Sequence, residues 1–150
     1  MTHPKHILVG TDLSTHSLPA LDSAATFARS FGAKVTLVHV FDPAPLVPPA
    51  AIPRPERVEE SIASELHEAV VKELETLRKK HLAGVEGVQI EVIRSAAPAK
   101  AIIDLAENKG VDLIVVGTHG RTGIAHMLIG SVAERVVRHA HCAVLAVRSH

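Results

Sequence analysis

The chain has 150 residues, 47% of them hydrophobic, and its formal net charge at neutral pH is zero. This length and composition predict one globular domain over residues 1–150 with a buried core. A balanced charge, with three Phe and no Tyr or Trp, leaves neither the basic surface nor the stacking platforms that nucleic-acid binding needs. We therefore expect no nucleic-acid partner.

The N-terminal residues lead into a strand pattern without the apolar core of a signal peptide, and no apolar run reaches the length of a membrane span. Cys142 is the single cysteine, which excludes an internal disulfide and fits a reducing compartment. Its apolar flanks predict a buried strand residue rather than a nucleophile. We expect a cytoplasmic protein with no membrane partner.

Short apolar runs rich in β-branched residues alternate with helical periodicity along the chain. In chain order the predicted elements are a strand over His6–Gly10, a helix over Leu21–Phe31, a strand over Val35–Val40, a helix over Val58–Leu77, a strand over Val88–Ile93, a helix over Pro98–Gly110, a strand over Leu113–Val116, a helix that begins near Ser131 and a strand over Ala143–Val147. This alternation predicts a three-layer α/β/α fold with a five-stranded, mostly parallel sheet. Such sheets bind ligands at the carboxyl ends of their strands.

A proline-rich segment, residues 43–55, follows the second predicted strand. It cannot continue either neighbouring element, because proline lacks the backbone donor that helices and inner strands use. We expect an extended loop, either a lid over a ligand or a contact for a partner.

Glycines follow the fourth predicted strand at Gly117 and Gly120, and nine residues later Gly130 precedes Ser131. Glycine lets backbone amides turn inward or approach an anion closely, and Ser131 opens a helix whose first turn favours negative charge. The pattern is neither a Walker A loop nor a GxGxxG fingerprint. The alternative is that these glycines only end a strand, turn a loop and start a helix.

Thr11 and Asp12 directly follow the first predicted strand. If that strand neighbours the fourth, both loops rim one crevice, and the Asp12 carboxylate accepts hydrogen bonds from ribose hydroxyls. Equally, Asp12, Ser14 and Ser17 have the side chains of helix N-caps.

Two further residues of the glycine loop are candidates. His119 is placed to donate to a phosphate or to sense pH, and Arg121 either contacts phosphate or stays solvated. The other histidines lack the spacing of metal ligands, so surface or strand-end positions are expected for them. No residue is predicted to be catalytic.

The glycine pattern, the opening run Ile7–Ser14 and the closing run Cys142–Val147 together resemble the universal stress protein family, in its ATP-binding branch. The resemblance covers the whole chain. It implies an adenine nucleotide alpha-hydrolase-like fold with strand order 3-2-1-4-5, and ATP, ADP or AMP as the ligand, with Mg²⁺ or Mn²⁺ bridging its phosphates.

By the same resemblance, Asp12 lies near the ribose and the backbone of Val40 meets the adenine. The positions that match those around the phosphates are Gly117, Gly120, Gly130, Ser131 and Val132. The last strand, residues 143–147, is expected at a sheet edge, where it pairs antiparallel with its copy in a homodimer. The implied function is a nucleotide-dependent sensor or regulator in the stress response. The alternatives are a slow ATPase or phosphotransferase using the same pocket, and an interaction module without nucleotide.

Overall fold

A computed structural model describes residues 3–42, 44, 56–120 and 129–149 of the chain. The elements are β1 (His6–Gly10), a short 3₁₀ helix (Thr15–Ser17), α1 (Leu18–Phe31), β2 (Lys34–Phe41), α2 (Glu56–His81), β3 (Gln89–Arg94), α3 (Pro98–Asn108), β4 (Leu113–Gly117), α4 (Ser131–His139) and β5 (Ala143–Val147). The strands form one parallel sheet in the order β3-β2-β1-β4-β5. The predicted fold class and strand order are confirmed. Apart from Ala44, the segment 43–55 lies outside the described residues, and so does its predicted lid.

Two apolar cores sandwich the sheet, one on each face. Alternate residues of β1 supply both cores: Ile7 and Val9 pack with α1 and α2, whereas Leu8 packs with α3 and α4. Every residue of β1 is buried, as expected for a central strand covered on both faces. Because all five strands run in the same direction, the loops after β1, β2 and β4 emerge at one edge of the sheet.

Several predicted bounds differ from the structure. The strand β2 extends beyond its predicted apolar run at both ends, and β3 begins and ends one residue later than predicted. Helix α3 ends at Asn108 because Gly110 adopts a left-handed φ of 61° that a helix cannot contain. Cys142 was wrongly predicted as a buried strand residue. It precedes β5 and is half-buried. This burial raises the pKa of its thiol, which disfavours a reactive thiolate.

No helix in the described part of the chain is both long and apolar enough to cross a membrane.

A polar cluster joins the starts of β1 and β4 at the opposite edge of the sheet. The Asp112 carboxylate accepts the backbone N–H groups of Lys5 and His6, both at 2.9 Å. The His6 ring is 4% exposed, and its Nδ1 lies 3.2 Å from the Lys109 carbonyl and its Nε2 2.9 Å from Thr36 Oγ1. Because a carbonyl only accepts, Nδ1 carries the proton and the Thr36 hydroxyl donates to Nε2. The neutral ring is therefore fully hydrogen-bonded.

Burial, assisted by the Lys34 charge, lowers the pKa of His6 below its usual value. The unfolded chain therefore takes up a proton at a higher pH than the folded chain, so the free energy of unfolding should fall as the pH drops below about 6.5. His6→Gln keeps a polar side chain without titrating, and its urea-unfolding curves should show a shallower decline as the pH is lowered from neutral into the mildly acidic range. Equal slopes for both proteins would show that His6 does not set this pH dependence.

Candidate functional site

The loops that follow β1 and β4 touch each other at the carboxyl edge of the sheet. Their strands are neighbours, with Val9 paired to Val115. A Cβ atom added to Gly120 would lie 3.2 Å from Asp12 Oδ2, and one added to Gly117 would lie 3.3 Å from the His16 carbonyl oxygen. The two loops are therefore neighbours, as the sequence predicts if the two strands are adjacent.

A chain of hydrogen bonds fixes the loop after β1. The buried Thr11 hydroxyl lies 2.7 Å from Ser17 Oγ, which donates to the Ser14 carbonyl at 2.9 Å. Thr11 Oγ1 also accepts the N–H of Leu13 at 3.0 Å. Leu13 has a left-handed φ of 66°, a conformation that costs a non-glycine residue roughly 1–2 kcal/mol. Its side chain packs on the core of α1 and α2, which helps to offset that cost.

The Asp12 side chain forms its hydrogen bonds within this loop. Its Oδ1 accepts the Ser14 N–H at 3.0 Å and the Ser14 hydroxyl at 2.6 Å. The N-cap of α1 is Ser17, whose side chain makes no capping hydrogen bond. Ser14 and Ser17 therefore occupy the N-cap positions of the 3₁₀ helix and of α1, as the helix-entry interpretation predicts, but neither side chain makes a capping hydrogen bond, and Asp12 is the N-cap of neither helix. A turn of its own, closed by the Ser14 N–H, orients the Asp12 carboxylate toward Gly120.

The glycine loop needs glycine for close approach, not for a left-handed backbone. None of Gly117, Gly120 and Gly130 has a φ in the left-handed region, and a Cβ on Gly130 would lie 3.0 Å from the Thr118 carbonyl oxygen. The Gly130 N–H donates to that same oxygen, and the Thr118 N–H donates to the Val147 carbonyl at 2.9 Å. The sequence correctly places small residues here, but the reason is crowding between the two loops and α4.

The amino end of α4 completes one wall of the site. Gly130 is its N-cap, Ser131 begins the helix with an exposed side chain, and Val132 packs on the core of α3 and α4. The first amides of a helix have no acceptor within it, and its dipole is positive at this end. Ser131 and Val132 therefore present backbone donors suited to an anion such as a phosphate.

Val40 lies at the same edge on the neighbouring strand. Gly10 pairs with Val38. Val40 lies two residues after Val38 on β2, and Asp12 lies two residues after Gly10 in the loop that follows β1. β2 continues to Phe41, whereas β1 ends at Gly10. The half-buried residue Val40 therefore flanks the Asp12 loop.

His39 is the site residue that the sequence does not single out. It is 4% exposed, and its Nδ1 lies 2.8 Å from the Thr11 carbonyl oxygen. The sequence predicts only a surface or strand-end position for it, whereas it is buried inside β2. A histidine followed by Val40 in an apolar strand was the available signal, but the contact joins residues 28 apart, which no local pattern reveals.

His119 and Arg121 are the remaining predicted residues of the glycine loop. His119 is half-buried, and its Nδ1 lies 2.9 Å from Thr118 Oγ1, so it is within the glycine loop as predicted. Arg121 lies outside the described residues.

Over the described ranges, no group of three or more His, Cys, Asp or Glu side chains is arranged to hold a metal ion.

Comparisons with known proteins identify the family and support the fold. Residues 3–148 match the model of the Universal stress protein family. The universal stress protein MJ0531 of Methanocaldococcus jannaschii is 40% identical over 145 residues, covering 96% of this chain and 82% of that protein. The solved structure of MJ0577, from the same organism, superposes with a TM-score of 0.83 at 29% identity and 99% coverage of both chains. A crystal structure of a universal stress protein in complex with cAMP has a TM-score of 0.68 at 26% identity, with 98% of both chains covered.

Proposed function

Because the chain belongs to the universal stress protein family, we propose that it binds ATP in the crevice between the β1 and β4 loops and acts as a nucleotide-dependent sensor or regulator in the stress response. The adenine would lie beside the Val40 backbone and the ribose near Thr11 and Asp12. The phosphates would lie among Gly117, His119, Gly120, Gly130, Ser131 and Val132, with Arg121 as a further candidate. The relative crystallised with cAMP supports an adenine nucleotide as the ligand class.

The observation that carries this proposal is the contact between the two loops. Asp12 Oδ2 lies 3.2 Å from where a Gly120 side chain would begin, and the Thr118 carbonyl lies 3.0 Å from where a Gly130 side chain would begin. A carboxylate suited to hydroxyl groups and a glycine-lined, amide-rich wall suited to phosphate are therefore neighbours. An adenosine phosphate presents those two chemistries in that order.

ADP and AMP fit the same proposal, because they share the adenosine half. Mg²⁺ or Mn²⁺ would bind through the phosphate oxygens, since hard cations usually combine nucleotide phosphates with few protein carboxylates. The role of the metal ion would be to offset phosphate charge.

The proposal includes one domain over residues 1–150 and a cytoplasmic location, the compartment that supplies free ATP.

Slow ATP hydrolysis or phosphotransfer is the second candidate function. It is favoured by one observation, the imidazole of His119 within the glycine loop, hydrogen-bonded to Thr118. Phosphoryl transfer depends mainly on positioning and charge, so this loop could support it without a catalytic carboxylate. A turnover assay with ATP and Mg²⁺ distinguishes the two functions, since a sensor should release less than one phosphate per bound nucleotide over hours.

Calorimetric titration of nucleotide-stripped protein with ATP and Mg²⁺ tests the binding proposal. We expect one nucleotide per chain. A nucleotide-free interaction module would give no heat of binding with ATP, ADP or AMP.

We further propose a homodimer in which β5 (residues 143–147) pairs antiparallel with its copy. β5 is an edge strand, it is entirely apolar, and each of its residues is only half-buried, so its outer edge is a template for pairing. Light scattering at micromolar concentration should give twice the 15.9 kDa mass of one chain. A mass of one chain under those conditions would contradict the dimer.

A further inference from the structure

We propose that His39 is a positioning residue for the nucleotide site: its Nδ1–H donates to the Thr11 carbonyl and thereby holds the Asp12 loop against β2. The inference rests on the proposed function for its binding readout. His39 acts through Thr11, and it is not assigned a contact with the nucleotide.

Two successive residues of β2 hold the Thr11 backbone. The Thr11 N–H donates to the Val38 carbonyl at 3.0 Å, and the Thr11 carbonyl lies 2.8 Å from His39 Nδ1. A carbonyl oxygen has no proton to give, so Nδ1 is the donor. The first hydrogen bond continues the sheet ladder, whereas the second is an added side-chain hydrogen bond just where β1 has ended.

The imidazole lies under the loop, on the face of the sheet that α1 and α2 cover. Side chains alternate along a strand, and Val35 and Leu37 belong to the core of α1 and α2, whereas Val38 belongs to the other core. His39 therefore shares the face of Leu37. The Phe41 ring, also on this face, is nearly parallel to the imidazole, with 1° between the planes and 6.5 Å between centroids. The donor is thus oriented by its neighbours.

The hydrogen bond from His39 matters because the residues after Thr11 form the strained part of the loop. Asp12 forms its turn with Ser14, and Leu13 adopts its left-handed conformation, directly after this peptide. A strained loop persists only where its surroundings hold it. Without the His39 donor, the Thr11 carbonyl is a buried acceptor that has lost a partner, and the peptide can rotate. Rotation there moves the Asp12 carboxylate relative to Val40, and so separates the ribose and adenine contacts.

A pair of substitutions separates hydrogen bonding from packing. His39→Asn keeps a donor at the position of Nδ1 but loses ring volume, whereas His39→Leu keeps apolar volume and has no donor. If donation to Thr11 is the role, His39→Leu should weaken ATP affinity about tenfold, the loss typical of one buried hydrogen bond, and His39→Asn by less than about threefold. The reverse order, or equal affinities for all three proteins, would overturn the inference.

Ligand fragments give a readout that a general structural role would not produce. His39→Leu should lose adenosine affinity about as much as ATP affinity, because the affected loop serves that half, but should bind inorganic triphosphate like the wild type. An equal loss for triphosphate would mean that the substitution damages the whole site, and would count against a positioning role for His39.

Nuclear magnetic resonance of the wild-type ring tests the contact without any ligand. The inference requires a proton on Nδ1 of His39, and amide shifts over Thr11–Ser14 that change in His39→Leu more than in His39→Asn. A ring protonated only on Nε2 would overturn it, even if neither variant folds. Failure of the wild type to bind any adenine nucleotide would instead reject the proposed function and leave this spectroscopic result to decide on His39.

Discussion

Replacing Gly130 with valine is expected to weaken ATP binding more than about 100-fold, a loss of about 2.7 kcal/mol, with little change in circular dichroism. Gly130 has φ −74° and ψ 161°, an extended conformation that valine adopts readily. The obstacle is steric, because the first side-chain atom would lie 3.0 Å from the Thr118 carbonyl oxygen and 3.9 Å from the Gly120 nitrogen. The branched side chain would push the glycine loop away from the start of α4, where the phosphates are proposed to bind.

Gly110→Val is the matched control for this substitution. Gly110 lies before β4, at the opposite edge of the sheet, in open space but with a left-handed φ of 61°. Valine there should lower the free energy of unfolding by about 1–2 kcal/mol through backbone strain, yet leave ATP affinity unchanged. If Gly130→Val also bound ATP normally, the phosphate site would have to lie elsewhere.

Replacing Asp12 with alanine is expected to weaken ATP affinity about 10- to 100-fold, corresponding to hydrogen bonds of a charged group worth roughly 1.5–3 kcal/mol. The carboxylate accepts both the amide and the hydroxyl of Ser14 and lies against Gly120. Its removal takes away the proposed ribose acceptor and also the turn that orients the loop. Equilibrium titration with ATP measures the combined loss.

A ribose analogue separates these two effects. The wild type should bind ATP more tightly than 2′,3′-dideoxy-ATP, whereas Asp12→Ala should bind the two nearly equally, because the hydroxyl groups have lost their acceptor. Ser14→Ala, which removes only one hydrogen bond within the loop, should retain the discrimination. If Asp12→Ala discriminated as strongly as the wild type, Asp12 would be a loop residue and not a ribose ligand. Asp104→Ala, which breaks an exposed ion pair with Lys100 on α3, should leave both affinities unchanged.

Local patterns were sufficient to predict the helices, the strands and the three-layer arrangement. β1 and β5 begin and end at the predicted residues, and α1 ends where Gly32 adopts a left-handed φ of 65°. These features depend on periodicity and on the conformational range of single residues, both of which a sequence displays directly. Strand order followed from family resemblance, since periodicity alone does not say which strands are neighbours.

Details of the site depended on contacts between distant segments. Asp12 and Gly120 meet across 108 positions of sequence. The glycine was therefore correctly singled out, but it was explained by a turning backbone or the close approach of an anion, not by crowding between the two loops. Leu13, in the loop after β1, is the residue that adopts a left-handed backbone conformation there. A leucine gives no local sign of this conformation. His39 was likewise missed because its hydrogen bond is to the Thr11 carbonyl in the loop after β1, 28 residues away.

The most direct measurement of the central claim is to denature the purified protein, identify any released nucleotide by chromatography, and then titrate refolded or nucleotide-stripped protein with ATP and Mg²⁺. An adenine nucleotide near one per chain, or stoichiometric binding of added ATP that Gly130→Val weakens more than about 100-fold, is the predicted result. Absence of released nucleotide together with no binding of added ATP, ADP or AMP would contradict the nucleotide site.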